Sequence, residues 1–572
     1  MAKRYKAGKQ SCDILKEIQA LEAWQSKIEF TKEQIPLAEI GSTTAGPSTF
    51  TPEGTQNNFE SRELIYKAAL ESLQPNNESH KMIALCGMGG VGKTTMMEQL
   101  KKEVQASKLF DRVVKVVIGE NTDLVALQRA IAINIKLEDL KEETKDARAD
   151  RLRTIFEEMS KQGKKTLVIM DDIWSEVELK DVGLSPLPNG FKMLFTSRDK
   201  RFCTHMGVRS NSIFEVGILN DAEAKTLFFG IVGLSDGDDP ALQKIGEDVV
   251  KKCGGLPIAI VTIAKILCNN NKAAWEKALW RLERDDLKDL ESITDRIFEM
   301  SYENLKENDD KAIFLLSALF PDDFDIRTED LLRFGWGLGF LKDGKTLREA
   351  RRDMEICVNN LLCANLWTKS DRMGCVKIHD LVRAFVLNKI SEVKQASIVN
   401  IDNKTEQYAN ETYERILLKC TGMTEFPSDF NYPNLSLLML MDGHRSLKFP
   451  EDIYKRMEKL EVLSYEKMHI PLLPRTSEHS TKLRTLCLRS CSLINDDVSF
   501  LGSLSNLETL SFVDCGIRWL PSTIGKLKKL KLLDLTGCVD LCIEDGLIMV
   551  VLLGSQIETV MSWRNFHTGY LH

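Results

Sequence analysis

The sequence predicts a multidomain α/β protein: a P-loop NTPase parallel sheet, then helical domains, then a C-terminal leucine-rich-repeat solenoid. Three observations predict it. Residues 87–94 complete a G-x-x-x-x-G-K-[ST] phosphate loop, set between an apolar strand-like run and a helical stretch. A second apolar run over 166–170 ends in the paired carboxylates Asp171 and Asp172. Near the C-terminus the pattern L-x-x-L-x-L-x-x-C occurs in register at Leu483-Leu486-Leu488-Cys491, Leu507-Leu510-Phe512-Cys515 and Leu530-Leu533-Leu535-Cys538. Successive copies start 24 and 23 residues apart, within the leucine-rich-repeat range.

In chain order, residues 11–35 read as one amphipathic helix, with Ile14, Leu21, Ile28 and Ile35 recurring every seven residues, so 1–40 is expected to be a partial coiled-coil helix. Residues 41–58 are rich in Gly, Pro, Ser and Thr, a linker by composition. Over 59–220 strand and helix signals alternate, with strands expected at 82–86, 112–118, 166–170, 191–196 and 212–216. That rhythm predicts a parallel sheet covered on both faces. From 221 to about 395 helices dominate, interrupted by Cys253-Gly254-Gly255-Leu256-Pro257, and one or two small helical domains fit there. The repeats occupy 413–540, with weaker copies beginning at Leu435 and Leu460. The tail 541–572 follows no repeat spacing.

The bulk numbers are those of an ordinary globular chain. Its 572 residues allow several domains, and 43% are hydrophobic and 28% charged. A formal net charge of −7 provides no general basic surface, so no nucleic-acid partner is expected. The 14 cysteines include no C-x-x-C pair, which fits free thiols in a reducing compartment. The basic start leads into no apolar signal region, and the late apolar run from Leu547 to Leu553 is too short to span a bilayer. A cytoplasmic protein without a transmembrane segment is the expectation.

The chemistry concentrates on Gly87, Met88, Gly89, Gly90, Val91, Gly92, Lys93, Thr94 and Thr95. Glycines let the backbone turn with positive φ and close on a polyphosphate, so that N–H groups and a helix N-terminus face anionic oxygens. Lys93 would reach the β- and γ-phosphates of a nucleoside triphosphate, and Thr94 would place its hydroxyl on Mg²⁺. An isolated Asp-Asp pair is usually a helix cap or a solvated turn. At the end of an apolar strand the pair instead reads as a metal edge. Asp171 would hold Mg²⁺ through water, and Asp172 would polarise an attacking water.

These motifs, with Cys253–Pro257, the triplet Ile378-His379-Asp380 and the repeats, resemble plant NBS-LRR (NB-ARC) disease-resistance proteins over about residues 59–540. Trp174, following Asp171-Asp172-Ile173, fits the coiled-coil subgroup. The resemblance implies that Arg198, in Thr196-Ser197-Arg198, reads the γ-phosphate and that Pro257 packs against the adenosine. It implies that 221–300 is a helical domain and that 301–395, with its FLLSALFPDDFD segment, is a winged-helix domain. It brings His379 to the β-phosphate of ADP, where a protonated imidazole would be favoured. Position 378 is Ile where the family most often has Met.

The function implied is an intracellular immune receptor: ADP favours a closed state, ATP an open one, and slow Mg²⁺-dependent hydrolysis resets the switch. The repeats would sense a pathogen effector or a guarded host protein, with self-association on activation. Two alternatives stay open, a nucleotide-binding receptor fragment that cannot signal and a generic P-loop remodelling ATPase. One helix stands where the family has a bundle, and the repeat run is short, so a chain truncated at both ends is expected.

Overall fold

The structure, a computed structural model, describes residues 59–543 and 558–560 apart from short internal segments, the longest being 394–412 and 470–481. The helix expected over 11–35, the linker 41–58 and most of the tail 541–572 lie outside the described residues.

Helix α1 (Glu60–Leu73) leads to β1 (Met82–Cys86), and the phosphate loop joins β1 to α2 (Lys93–Ala106). Then come β2 (Arg112–Gly119), α3 (Leu124–Asn134), α4 (Lys145–Lys161), β3 (Thr166–Ile173), β4 (Phe191–Ser197), α5 (Lys200–His205) and β5 (Ile213–Glu215). The strands lie in the order β2-β3-β4-β1-β5, and every neighbouring pair is parallel. A parallel sheet must be covered on both faces, and the alternation along β1 shows how. Ile83 and Leu85 enter one core with Met97 and Leu100 of α2, while Ala84 and Cys86 enter another with Ile131, Leu152 and Phe156 of α3 and α4. The parallel sheet agrees with the sequence expectation. The main difference is β3, which runs on through both aspartates to Ile173.

Capping residues start the next helices. Asn220 and Glu223 form a capping box at α6 (Asp221–Val232), and Asp239 caps α7 (Pro240–Lys252) just ahead of Pro240. Next come α8 (Pro257–Leu267), α9 (Lys272–Leu282) and α10 (Leu290–Glu303). Phe228, Val249, Ile260, Trp275 and Ile297 from these helices share the core that holds Ile83 and Leu85. The helical segment and the sheet are therefore joined through one continuous apolar core.

The next segment contains α11 (Asn308–Ser317), β6 (Ile326–Arg327), α12 (Thr328–Gly337), α13 (Leu347–Cys363), β7 (Thr368–Lys369), β8 (Cys375–Lys377) and α14 (Asp380–Val393). Its three strands form an antiparallel sheet in the order β6-β8-β7. The sequence pattern shows helices dominating here and locates none of these strands, because strands of two or three residues show no measurable alternation.

From residue 415 a parallel sheet is built of β9 (Arg415–Lys419), β10 (Leu437–Met441), β11 (Val462–Glu466), β12 (Thr485–Arg489), β13 (Thr509–Val513) and β14 (Leu532–Asp534) from the repeat region and β15 (Glu558–Val560) from the tail, each beside the next. Leu438, Leu463, Leu486, Leu510 and Leu533 form one row across it. The residue just after each of four strands, Asp442, Lys467, Ser490 and Asp514, has positive φ and donates its N–H to the neighbouring segment. Cys491 and Cys515 follow these turns and are buried.

The sheet serves two cores. Leu438, Leu440, Leu463, Leu486 and Leu488 point into the interior of the repeats. The alternate residues Leu437, Met439, Met441, Val462, Cys487 and Leu532 are buried with Leu331, Leu332 and Trp336 of α12. A Cβ on Gly337 would lie 2.5 Å from Val462 Cγ2, so glycine permits this approach. Among the described residues, no helix is long and apolar enough to cross a membrane.

Candidate functional site

The phosphate loop is wedged among three parts of the chain. A Cβ on Gly87 would sit 2.1 Å from Val216 O, just past β5. Gly90 has φ +75, and its Cβ would meet Ile258 Cγ2 at 2.5 Å and Leu381 Cδ1 at 3.3 Å. Those neighbours belong to the starts of α8 and α14, so the loop touches the helical segment and the segment after it. Ile258 N–H donates to Gly90 O at 3.3 Å. Behind the loop, the Arg62 guanidinium donates to Val91 O at 3.1 Å and to Gly217 O at 2.5 Å. Gly89 lies against the Arg198 guanidinium, and Gly92 stands at the N-cap of α2 in the left-handed region.

Met88 is 47% exposed, Thr94 and Thr95 are exposed, and Val91 is buried. Lys93 is buried, and its ammonium donates to Met88 O at 2.9 Å. Burial, then the Arg198 charge, pushes Lys93 down to about 8, with Asp172 and Asp171 opposing. An anion seated over the loop would relieve that pressure.

Both aspartates are organised by Thr196. Its hydroxyl donates to Asp171 Oδ1 at 2.5 Å and accepts the Asp172 N–H at 2.8 Å. Thr94 Oγ1 reaches the same Asp171 oxygen at 3.4 Å, and Lys115 Nζ lies 3.5 Å from Oδ2. Hydroxyl and carboxylate oxygens converging in this way are a donor set suited to Mg²⁺. Asp172 occupies an irregularity in the β3–β4 register with φ +52, a conformation that non-glycine residues rarely adopt. Its Oδ2 accepts from Trp174 Nε1 at 2.6 Å, and burial raises its carboxyl above the usual range.

Arg198 emerges from β4 with its guanidinium 4.1 Å from the centroid of the Trp174 ring, and it is salt-bridged to Asp380 at the start of α14. His379 Nδ1 lies 2.5 Å from Asp380 Oδ1 and accepts the Leu381 N–H at 3.2 Å. Burial, then Arg198 and Lys93, push this imidazole down to about 3. Burial and the two cations thus favour the neutral ring against the pull of the Asp380 carboxylate, whose charge Arg198 already engages, and a protonated ring would need phosphate charge to offset them. Pro257 opens α8, half-buried, one residue before Ile258.

Residues 87–95, Asp171, Asp172, Arg198, Pro257 and His379 are gathered around one loop. Sequence reading gave no role to Thr196 as the hydroxyl between the aspartates or to Lys115 beside Asp171. One signal was available for Lys115: a single charge inside the apolar run Val113-Val114-Lys115-Val116-Val117.

Residues 62–236 match the NB-ARC domain family. Three proteins of Arabidopsis thaliana are similar over most of the chain. Probable disease resistance protein At1g15890 is 28% identical, covering 79% of this chain and 51% of its own. Disease resistance protein RFL1 is 27% identical over 95% and 63%, and disease resistance protein UNI 26% over 97% and 60%. The chain therefore spans between half and two thirds of the length of these relatives. Among solved structures, Cdc6p from Pyrobaculum aerophilum aligns at 14% identity over 61% of this chain and 97% of its own, with a TM-score of 0.30, too low to bear on the fold.

Proposed function

We propose, for a chain that carries an NB-ARC domain and belongs with the plant NBS-LRR resistance proteins, that it is an immune receptor of plant defence gated by an adenine nucleotide. The observation that carries this reading is the joint at the phosphate loop. The start of α2 contributes Lys93 and Thr94, the strand ends contribute Asp171 and Arg198, the start of α8 contributes Pro257, and the start of α14 contributes His379 and Asp380. A ligand on residues 87–95 would touch all three, so the number of its phosphates can bias their arrangement.

In this reading the loop amides and Lys93 hold the phosphates, and Pro257 packs against the adenosine. Thr94 and Asp171 hold Mg²⁺, which screens phosphate charge. Asp172, kept in a strained, half-buried position, orients water for slow hydrolysis. Arg198 can pair with Asp380 or with a terminal phosphate, but not fully with both. ADP leaves Arg198 with Asp380 and favours closure, and ATP competes for it and favours opening. Moving such a switch from mostly off to mostly on takes about 5.5 kcal/mol of differential affinity.

The segment 301–395 reads as the winged-helix domain, and the sheet from 415 onward as a leucine-rich-repeat solenoid. A pathogen effector or guarded host protein is the partner class, the cytoplasm the proposed location, and self-association the proposed consequence of opening. The face of the repeat sheet toward α12 is filled by this chain's own side chains. A partner therefore binds elsewhere on the repeats or displaces α12.

Extraction of nucleotide from purified protein tests the reading. Near-stoichiometric ADP is expected. A protein that is empty and indifferent to adenine nucleotides by calorimetry overturns it. Expression of Asp380→Val in leaf tissue tests signalling, with cell death expected. Good accumulation without cell death would remove the receptor role and leave only nucleotide binding.

A further inference from the structure

We infer that Lys115 is a built-in counter-cation of the metal-side carboxylate, a positioning residue that weakens the hold on Mg²⁺ and makes retention of a nucleoside diphosphate largely independent of metal. The inference rests on the nucleotide reading above and adds to it a residue and a metal dependence.

Lys115 stands in the middle of β2, the edge strand next to β3. Its neighbours in sequence are apolar, and its side chain is 18% exposed. A partly buried ammonium is held where partners replace the water it has lost. Two do so. Glu98 Oε1, on α2 five residues beyond the loop lysine, lies 2.6 Å from Nζ, and Asp171 Oδ2 lies 3.5 Å away. Glu98 is itself shared with Lys101 at 3.1 Å, so it cannot neutralise Lys115 alone.

The consequence falls on Asp171. Its Oδ1 takes the hydroxyls of Thr196 and Thr94, and its Oδ2 faces the Lys115 ammonium. A carboxylate so engaged offers a dication little uncompensated negative charge. The approaching ion also meets a fixed positive charge across a partly buried, poorly screened gap. Mg²⁺ must therefore bind against Lys115, while Lys93 and the loop amides hold a diphosphate directly. Metal then matters chiefly for a triphosphate, whose extra charge raises the local demand for cations.

The test uses the purified full chain loaded with ADP. Mg²⁺ affinity is measured by calorimetry, and release of a fluorescent ADP analogue is followed with and without EDTA. Wild-type release is expected to change little on chelation. Lys115→Met is expected to bind Mg²⁺ about tenfold tighter and to make release sensitive to EDTA. Lys115→Arg, which keeps the charge, should stay near wild type. Glu98→Gln should shift Mg²⁺ affinity the opposite way, because Lys115 then concentrates on Asp171. This variant keeps the test decisive should Lys115→Met fold poorly. ADP-loaded Lys115→Met and Glu98→Gln with wild-type Mg²⁺ affinity would overturn the role of Lys115 while leaving the nucleotide pocket standing. Failure of wild type to bind ADP at all would overturn both.

Discussion

Asp330 accepts from the Arg489 guanidinium through both carboxylate oxygens, at 2.6 and 2.7 Å, joining α12 to the repeat sheet across 159 residues of chain. The same helix sends buried Arg333 to a salt bridge with Asp534, and its Trp336 Nε1 donates to Glu508 Oε2 at 3.0 Å. These three residues recur every third position, on one face of a helix. The polar contacts lie among the apolar side chains that fill the seam, where an unpaired charge is costly.

Breaking one partner of this pair should therefore destabilise the seam. Asp330→Ala strands Arg489 and weakens the support of Arg333, and is expected to cost about 2–4 kcal/mol. Chemical denaturation of the two single variants and the Asp330→Ala/Arg489→Ala double variant measures the coupling. A coupling energy below about 0.5 kcal/mol would show that the Asp330–Arg489 pair does not help to hold α12 in place.

Thr196→Val removes the hydroxyl that organises both aspartates while nearly preserving volume. It is expected to cost about 1–3 kcal/mol of stability and to weaken Mg²⁺-dependent ATP binding more than ADP binding. Lys93→Ala should instead abolish retention of either nucleotide, since the cation facing the phosphates is lost. Equal loss of ATP and ADP in the valine variant would detach Thr196 from the metal side of the pocket.

Proton linkage offers an independent check on Lys93. Its value in the folded protein, about 8, lies below the ordinary 10.5, so between these values the lysine is largely neutral. Phosphate oxygens favour the ammonium, so binding in that window must take up a proton, and affinity must fall as pH rises. Calorimetry at pH ~9 in buffers of different ionisation enthalpy reports the uptake directly. No proton uptake at that pH would mean that Lys93 does not meet the phosphates.

His379 carries a linkage of its own. Its folded value, about 3, lies below the ordinary 6.5, so the folded state binds fewer protons between them. Its contribution to stability is present above pH ~6.5 and is lost as pH falls toward ~3. Thermal unfolding from pH ~7 to pH ~4 should show a decline that His379→Gln flattens. Identical pH profiles would place the acid sensitivity elsewhere.

The legible part of this protein was local. Residues 82–86 and 167–170 are unbroken apolar runs, and the glycines of 87–92 are needed where the loop crowds Val216 and Ile258. The leucines at 463, 486, 510 and 533 line up in the sheet as their spacing required. Less legible were β6, β7 and β8, whose few residues contain no full period of alternation. Also hidden was the continuation of β3 through Asp172, because a positive φ inside a strand is imposed by neighbours such as Thr196 and Trp174.

By itself the sequence determined the phosphate loop, the apolar strands around it and the repeat period, since each depends on residues a few positions apart along one backbone. Only the tertiary structure decided that Arg198 pairs with Asp380, that Lys115 faces Asp171, and that Leu437, Met439 and Met441 form a core with α12. Those pairings join residues tens to hundreds of positions apart. Which of many chemically adequate partners meet is settled by how the helices and sheets pack, because that packing decides which charges lose their water together and which apolar faces close on one another.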